Sequence, residues 1–188
     1  MPDKKLLIID FEATCWEDGR TVTDDGQEQE IIEIGYALAN LSTETIEHNG
    51  SIFIINAKSN VSDYCTNLTG ITQEQLLEYG YQDLHAGFEA LQKEIGSLRR
   101  YPWASWGSWD EEQYRKYYST NLQKPPLSRY YLNLKVQFFL SHRALKKMPG
   151  MATALDFIQT PLEGRHHSGA DDAKNLAKIA FYLYGGQQ

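Results

Sequence analysis

A handful of acids and a histidine pair in this 188-residue sequence have types and spacings that could hold cations and move a proton. Asp10 and Glu12 follow the apolar run Leu6–Ile9 and stand two residues apart, so a strand would turn both to one face. Two carboxylates leaving a core strand together repel each other and lose hydration unless a cation lies between them. A second signal comes from the C-terminal helical pattern. Counting from Asp172, the fourth, seventh and eleventh residues onward are Leu176, Ile179 and Leu183, an apolar face that directs this acid inward. From Asp171 the same offsets meet Asn175, Lys178 and Tyr182, which makes Asp171 a solvated acid at a helix start. Asp110 follows the candidate cap Ser108, and His166 and His167 lie in a glycine-flanked loop just before Asp172. Each taken singly has a plain structural use as a strand-end acid, a helix-dipole acid or a loop histidine. Together they form a set of oxygen ligands for two hard cations about 4 Å apart, with a histidine to take a proton from water.

These residues need a scaffold. Leu6–Ile9, 31–38 and 51–55 read as buried strands, 103–106 as a short one and 130–132 as a last short one. Thr72-x-x-Gln75 is a capping box with Gly80 to end its helix, and Leu84, Phe88, Leu91, Ile95 and Leu98 repeat with helical spacing. Ser108-x-x-Glu111 reads as another capping box, opening a helix to about residue 121. Leu134, Phe138 and Leu145 share a helical face, as do Met151, Leu155 and Ile158, and a final helix spans 170–184 before Gly185-Gly186. The acidic stretch 17–30 reads as a mobile loop. Strands early and helices late give an α/β class: a mixed, mostly five-stranded sheet flanked by helices.

Composition narrows the function. With 41% hydrophobic and 23% charged residues, the chain suits one soluble domain over 1–188, and a cytoplasmic location is the expectation. It has no membrane-length apolar run and no signal-peptide pattern at its start. Cys15 and Cys65 match no zinc spacing and read as small buried hydrophobes. The net charge of −7 hides an asymmetry, −13 over residues 1–90 and +6 over 91–188. That division suits a protein holding cations in one place and phosphates in another.

The motifs resemble those of the DEDDh 3′-to-5′ exonucleases, which have the ribonuclease H-like fold, and within them the ERI-like RNA exonucleases. Asp10-Phe11-Glu12-Ala13-Thr14-Cys15 is similar to the first motif, Ser105-Trp106-Gly107-Ser108-Trp109-Asp110 to the second, and the run from Gly164 to Ala173 to the third. Glu30–Gly35, Cys65–Thr72 and Asn133–Lys135 are similar to intervening segments. The resemblance implies metal ligation by Asp10, Glu12, Asp110 and Asp172, with Mg2+ or Mn2+ as two ions per site. It also implies that His167 is the general base, because the family spacing H-x4-D counted from Asp172 lands there. Ala13, Thr14, Leu68, Thr69 and Gly70 are implied to receive the terminal nucleotide. Trp109 is a candidate for base stacking, and Lys135 and Arg165, beside the motifs, for phosphate contact.

The expected activity is removal of nucleoside 5′-monophosphates from single-stranded 3′ ends, RNA ahead of DNA, with no membrane partner. A DNA exonuclease and a catalytically silent nucleic-acid-binding module are the competing readings. The presence of all four carboxylates and the histidine argues against the silent one.

Overall fold

The computed structural model describes residues 4–55 and 58–186. Five strands form one sheet: β1 (Lys5–Ala13), β2 (Ile31–Asn40), β3 (Thr45–Phe53), β4 (Trp103–Ser105) and β5 (Tyr131–Asn133). Their order is β3-β2-β1-β4-β5. The pairs β3/β2 and β2/β1 are antiparallel, whereas β1/β4 and β4/β5 are parallel. Seven α-helices among the described residues accompany them: α1 (Asp63–Thr69), α2 (Gln73–Tyr79), α3 (Leu84–Ile95), α4 (Trp109–Asn121), α5 (Leu134–Ser141), α6 (Met151–Phe157) and α7 (Gly169–Tyr184). The mixed five-stranded sheet is the expected one. No helix among the described residues is long and apolar enough to cross a membrane.

The central strand distributes the core. Leu7, Ile9 and Phe11 point to one face, where they pack with Leu84, Phe88 and Leu91 of α3 and Tyr114 and Tyr118 of α4. Leu6 and Ile8 point to the other, against Leu134 and Phe138 of α5, Leu155 of α6 and Leu176, Ile179 and Ala180 of α7. A period of two therefore aims Asp10 and Glu12 at the side covered by α7. Helix and sheet approach most closely at a pair of glycines. A Cβ on Gly35 would fall 1.9 Å from the carbonyl carbon of Gly169, so only glycine lets the start of α7 lie on β2.

Several local expectations need correction. Helix α1 has no counterpart in the sequence reading, although Ser62 caps it and Gly70, at φ 83°, closes it. β3 begins six residues earlier than expected and stops at Phe53, leaving Ile54 to an isolated bridge with Tyr81. Gly96 ends α3 at Ile95, so Leu98 opens a separate 3-10 turn, and β4 ends before Trp106. The Ser108 capping box does not form: Ser108 is in helical conformation without a side-chain cap, and the Glu111 carboxylate pairs with Arg115. Leu145 lies beyond α5, packed on the same core from the following segment. The acidic stretch 17–30 is a loop, as expected, and within it Val22 bridges to Glu28, which also pairs with Lys58.

Candidate active site

Asp10, Glu12 and Asp172 each present a carboxylate oxygen within 4.8 Å of the others. β1 supplies the first two and the first turn of α7 the third, as the apolar face of that helix predicts. Asp172 and Glu12 are buried. Asp110, also buried at the start of α4, accepts a hydrogen bond from the Phe11 amide at 2.9 Å and so stands beside this trio. Among the described residues no lysine or arginine pairs with Asp10, Glu12 or Asp110.

The electrostatic consequence is large. Burial, then the charges of Asp110, Glu12 and Asp172, hold Asp10 well above the usual carboxylate range. Burial and the neighbouring Glu33 push Glu12 up to about 8. Burial raises Asp110 to about 6 against the opposing pull of the Phe11 amide. Asp172 is raised by burial and held back by the His167 amide and by His166. Ionised together, these groups would be strongly destabilising without a compensating positive charge. An all-oxygen donor set of this kind fits hard divalent cations, so the residues present suit a metal centre.

The histidine loop meets the same acid. His167 has φ 65°, and its amide donates to Asp172 Oδ2 at 3.0 Å. His166 places Nδ1 3.0 Å from the same oxygen, and the two imidazoles stack with centroids 4.1 Å apart. His166, His167 and Asp172 form a second group of potential ligands. The His166 contact was not foreseen. The His167 imidazole is half-buried, and burial, then His166, hold its pKa below the ordinary histidine value, so a neutral ring is favoured near neutral pH.

Sequence reasoning missed Glu33. It lies opposite Glu12 across the β1–β2 ladder and is buried. Its carboxylate accepts from the Gly169 amide at 3.1 Å and from the Ser51 hydroxyl. The start of α7 has no side-chain cap from Ser168, so Glu33 takes that role from another strand. Asp171, expected to be solvated, accepts instead from the Arg165 amide at 2.8 Å and fixes the turn at Gly164. Asn175, assigned to its polar face, is buried and bonds to both the amide and the carbonyl of Glu163.

The nucleotide-contact candidates fall into three groups. Ala13 ends β1 and Thr14 follows it, both buried, with the Thr14 hydroxyl accepting from the Glu30 amide and the Ser59 hydroxyl. Thr69 likewise donates to the Cys65 carbonyl. Arg165 reaches the Asn67 carbonyl and packs against Gly70, which brings it to the Leu68–Gly70 segment. Trp109 is exposed, and Lys135 is half-buried beside Gly107. Of the two free thiols, Cys65 is buried and Cys15 half-buried.

An exonuclease family, RNase T, matches residues 7–180, which include all four acids and both histidines. The chain belongs to this family. It is 31% identical over 183 residues to the human 3′-5′ exoribonuclease 1, covering 93% of this chain and 51% of that protein. It is 32% identical over 200 residues to ERI1 exoribonuclease 2 of Xenopus laevis, covering 93% of this chain and 28% of that protein. The chain thus spans about half or less of the length of these relatives. The nuclease domain of 3′hExo, a DEDDh family member solved bound to rAMP, superimposes with a TM-score of 0.80 at 27% identity. That match covers 97% of this chain and 92% of the solved one. The expected ribonuclease H-like exonuclease architecture is therefore the observed one.

Proposed function

We propose that this exonuclease-family domain hydrolyses the terminal phosphodiester of single-stranded RNA in the 3′-to-5′ direction, releasing nucleoside 5′-monophosphates. The observation that carries the reading is the cluster Asp10, Glu12, Asp110 and Asp172, which no lysine or arginine among the described residues neutralises and which the His166–His167 loop meets at Asp172. RNA is favoured over DNA because the two relatives at 31% and 32% identity described above are named exoribonucleases, and one neighbouring domain was solved with a ribonucleotide.

In this reading Asp10, Glu12, Asp110 and Asp172 hold two Mg2+ or Mn2+ ions. When bound, these ions lower the pKa of a water and stabilise the leaving 3′ oxygen. His167, neutral near pH 7, accepts the proton of the attacking water at a ring nitrogen. The water oxygen bonds to phosphorus as the bond from phosphorus to the upstream 3′ oxygen breaks. Asp172 orients His167 through the backbone amide of that residue. The 68–70 segment, linked to the histidine loop by Arg165, is placed to receive the terminal sugar, and Trp109 to stack on an unpaired base.

Digestion of 3′-labelled and 5′-labelled RNA and DNA of one sequence tests this. Stepwise monophosphate release from linear single strands is expected, dependent on Mg2+ or Mn2+, absent in chelator and lost in Asp172→Ala. Cleavage of a circular strand would overturn end recognition, and faster digestion of the DNA would overturn the RNA preference.

A further inference from the structure

The basic charge of the second half of the chain gathers away from the carboxylates. Arg99, Arg115 and Arg129 line one cavity of about 810 Å³ between α4 and the 122–131 segment. Lys124 lines an adjoining cavity of about 290 Å³, which shares Arg99 and Pro125 with the first. Glu111 is the one acid on the larger cavity, and Arg115 already pairs with it. The partners of the other two arginines are neutral. Arg99 donates to the Pro125 carbonyl, and Arg129 lies 4.9 Å over the Tyr130 ring and donates to its hydroxyl. Among the described residues neither guanidinium forms an ion pair, although Glu89 lines the smaller cavity with Arg99.

The walls of the larger cavity are aromatic. Tyr114 packs on Trp103 and Tyr118, with ring centroids 5.4 and 4.8 Å away, and Tyr130 is exposed at the edge. Gln123 also lines the wall, with its Oε1 buried and, among the described residues, without a hydrogen-bond partner. Cations for a phosphate and, in Tyr130, an exposed ring for a base above a floor of buried aromatics describe the chemistry of a nucleotide. The volume lies within the roughly 300–1,000 Å³ of small-molecule sites.

The cavity also has a defined relation to the catalytic centre. None of Asp10, Glu12, Asp110, Asp172 and His167 lines it, yet its wall begins at Glu111, next to Asp110, and follows α4 to Ser119. Tyr131, on the same wall, has its hydroxyl 3.0 Å from that of Ser105 and bonded to the Gly107 carbonyl, in the segment leading to Asp110. We propose that this arginine and tyrosine cavity is a second nucleic-acid site, which takes an internal nucleotide of the single strand whose 3′ end is being hydrolysed. The proposal rests on the nuclease reading of the carboxylate site, and its test separates the two.

The experiment compares a ribodinucleotide with a single strand roughly twelve nucleotides long, within the ~4–16 that a single-strand groove covers. Dinucleotide hydrolysis reads the carboxylate site alone, so the ratio of kcat/KM for the long substrate over the short reads the cavity. In Arg99→Ala/Arg129→Ala and in Ser119→Glu, which adds a repelling charge while keeping both arginines, this ratio should fall about tenfold through KM. The affinity of the long strand, measured by fluorescence anisotropy in EDTA, should fall with it. Its dependence on log salt should become shallower by roughly 1.4 in the double variant, ~0.7 for each phosphate contact on a single strand. An unchanged ratio in either variant overturns the proposal, as does competition by a polyglutamate peptide as effective as that by RNA. If the parent protein hydrolyses neither substrate, the nuclease reading fails and the anisotropy decides the cavity by the same criterion.

Discussion

The amide of Phe11 donates to Asp110 Oδ1 at 2.9 Å, so the residue between Asp10 and Glu12 also holds the acid that opens α4. Its side chain meanwhile points to the opposite face, where its ring meets that of Phe88 edge-on. Position and charge at Asp110 are thus separable. Asp110→Asn keeps an acceptor for Phe11 and removes the charge, whereas Asp110→Ala leaves a buried N–H unpaired at about 1–3 kcal/mol. The Asn variant should melt no lower than the parent yet lose at least ~10²-fold in rate, and the Ala variant should lose both. Thermal melts with initial rates check this, and a fully active Asn variant would remove Asp110 from the metal site.

The raised carboxylates set a pH dependence of stability. Glu12 has a folded pKa of about 8 against an ordinary 4.5, so between those values the folded state binds more protons than the unfolded one. The stability linked to Glu12 is complete below 4.5 and is lost as pH rises through about 8, and Asp10 and Asp110 act in the same direction. Exposed acids with lowered pKa, such as Glu163 at about 2, are already ionised above pH 5 and do not oppose the trend. In EDTA the protein should melt higher at pH 5.5 than at pH 8, by at least the ~2–4 °C that 1 kcal/mol produces in a chain of this size. Mn2+ should remove most of the difference, because bound cations favour the ionised acids. A melting temperature that rises with pH in EDTA would contradict the repulsive cluster.

The sequence shows those features of the site that follow from local periodicity. The alternation along β1 and the apolar face of α7 are each set by one segment, and they place Asp10, Glu12 and Asp172 correctly. Glu33 escapes such a reading because its partner, the Gly169 amide, belongs to a backbone 136 residues away. Asp171 and Asn175 share a helix face that looks polar, yet their partners are backbone groups of the preceding loop, which no side-chain pattern reports. Helix α1 has seven residues, too few for an apolar period to emerge, and its signals were the Ser62 cap and Gly70. At Ser108 the capping pattern was present, but Glu111 found Arg115 one turn along instead.

The two histidines should separate kinetically. His167 is held below the ordinary histidine pKa by burial and by His166, so its ring is ready to accept a proton near neutral pH, and activity should fall as pH drops through that value. His167→Ala should lower the rate ~10²–10⁴-fold and abolish this acidic limb. His166 Nδ1 contacts the Asp172 carboxylate, so His166→Ala should cost only about tenfold, the low end for removing a group that orients a ligand, and should leave the limb in place. Full pH–rate profiles of both variants decide the matter. Equal losses, or a limb that disappears with His166 instead, would reverse the assignment.

Glu33 should control how well the centre holds metal. Its carboxylate receives the Gly169 amide and the Ser51 hydroxyl, and Gly35 lets the two backbones close together, so the position of Asp172 depends on a β2 side chain. Burial raises the pKa of Glu33, so replacing it with an uncharged isostere also relieves desolvation. Glu33→Gln should therefore fold with a melting temperature close to the parent's while keeping an acceptor for Gly169. Glu33→Ala leaves that amide without a cap, at about 1–3 kcal/mol, and frees the first turn of α7 to shift. The Ala variant should need ~10–100-fold more Mn2+ for half-maximal rate and bind it correspondingly more weakly by calorimetry, with the Gln variant in between. A variant that melts lower yet binds Mn2+ with the parent's affinity would show that Glu33 stabilises the helix without setting the geometry of the ligands.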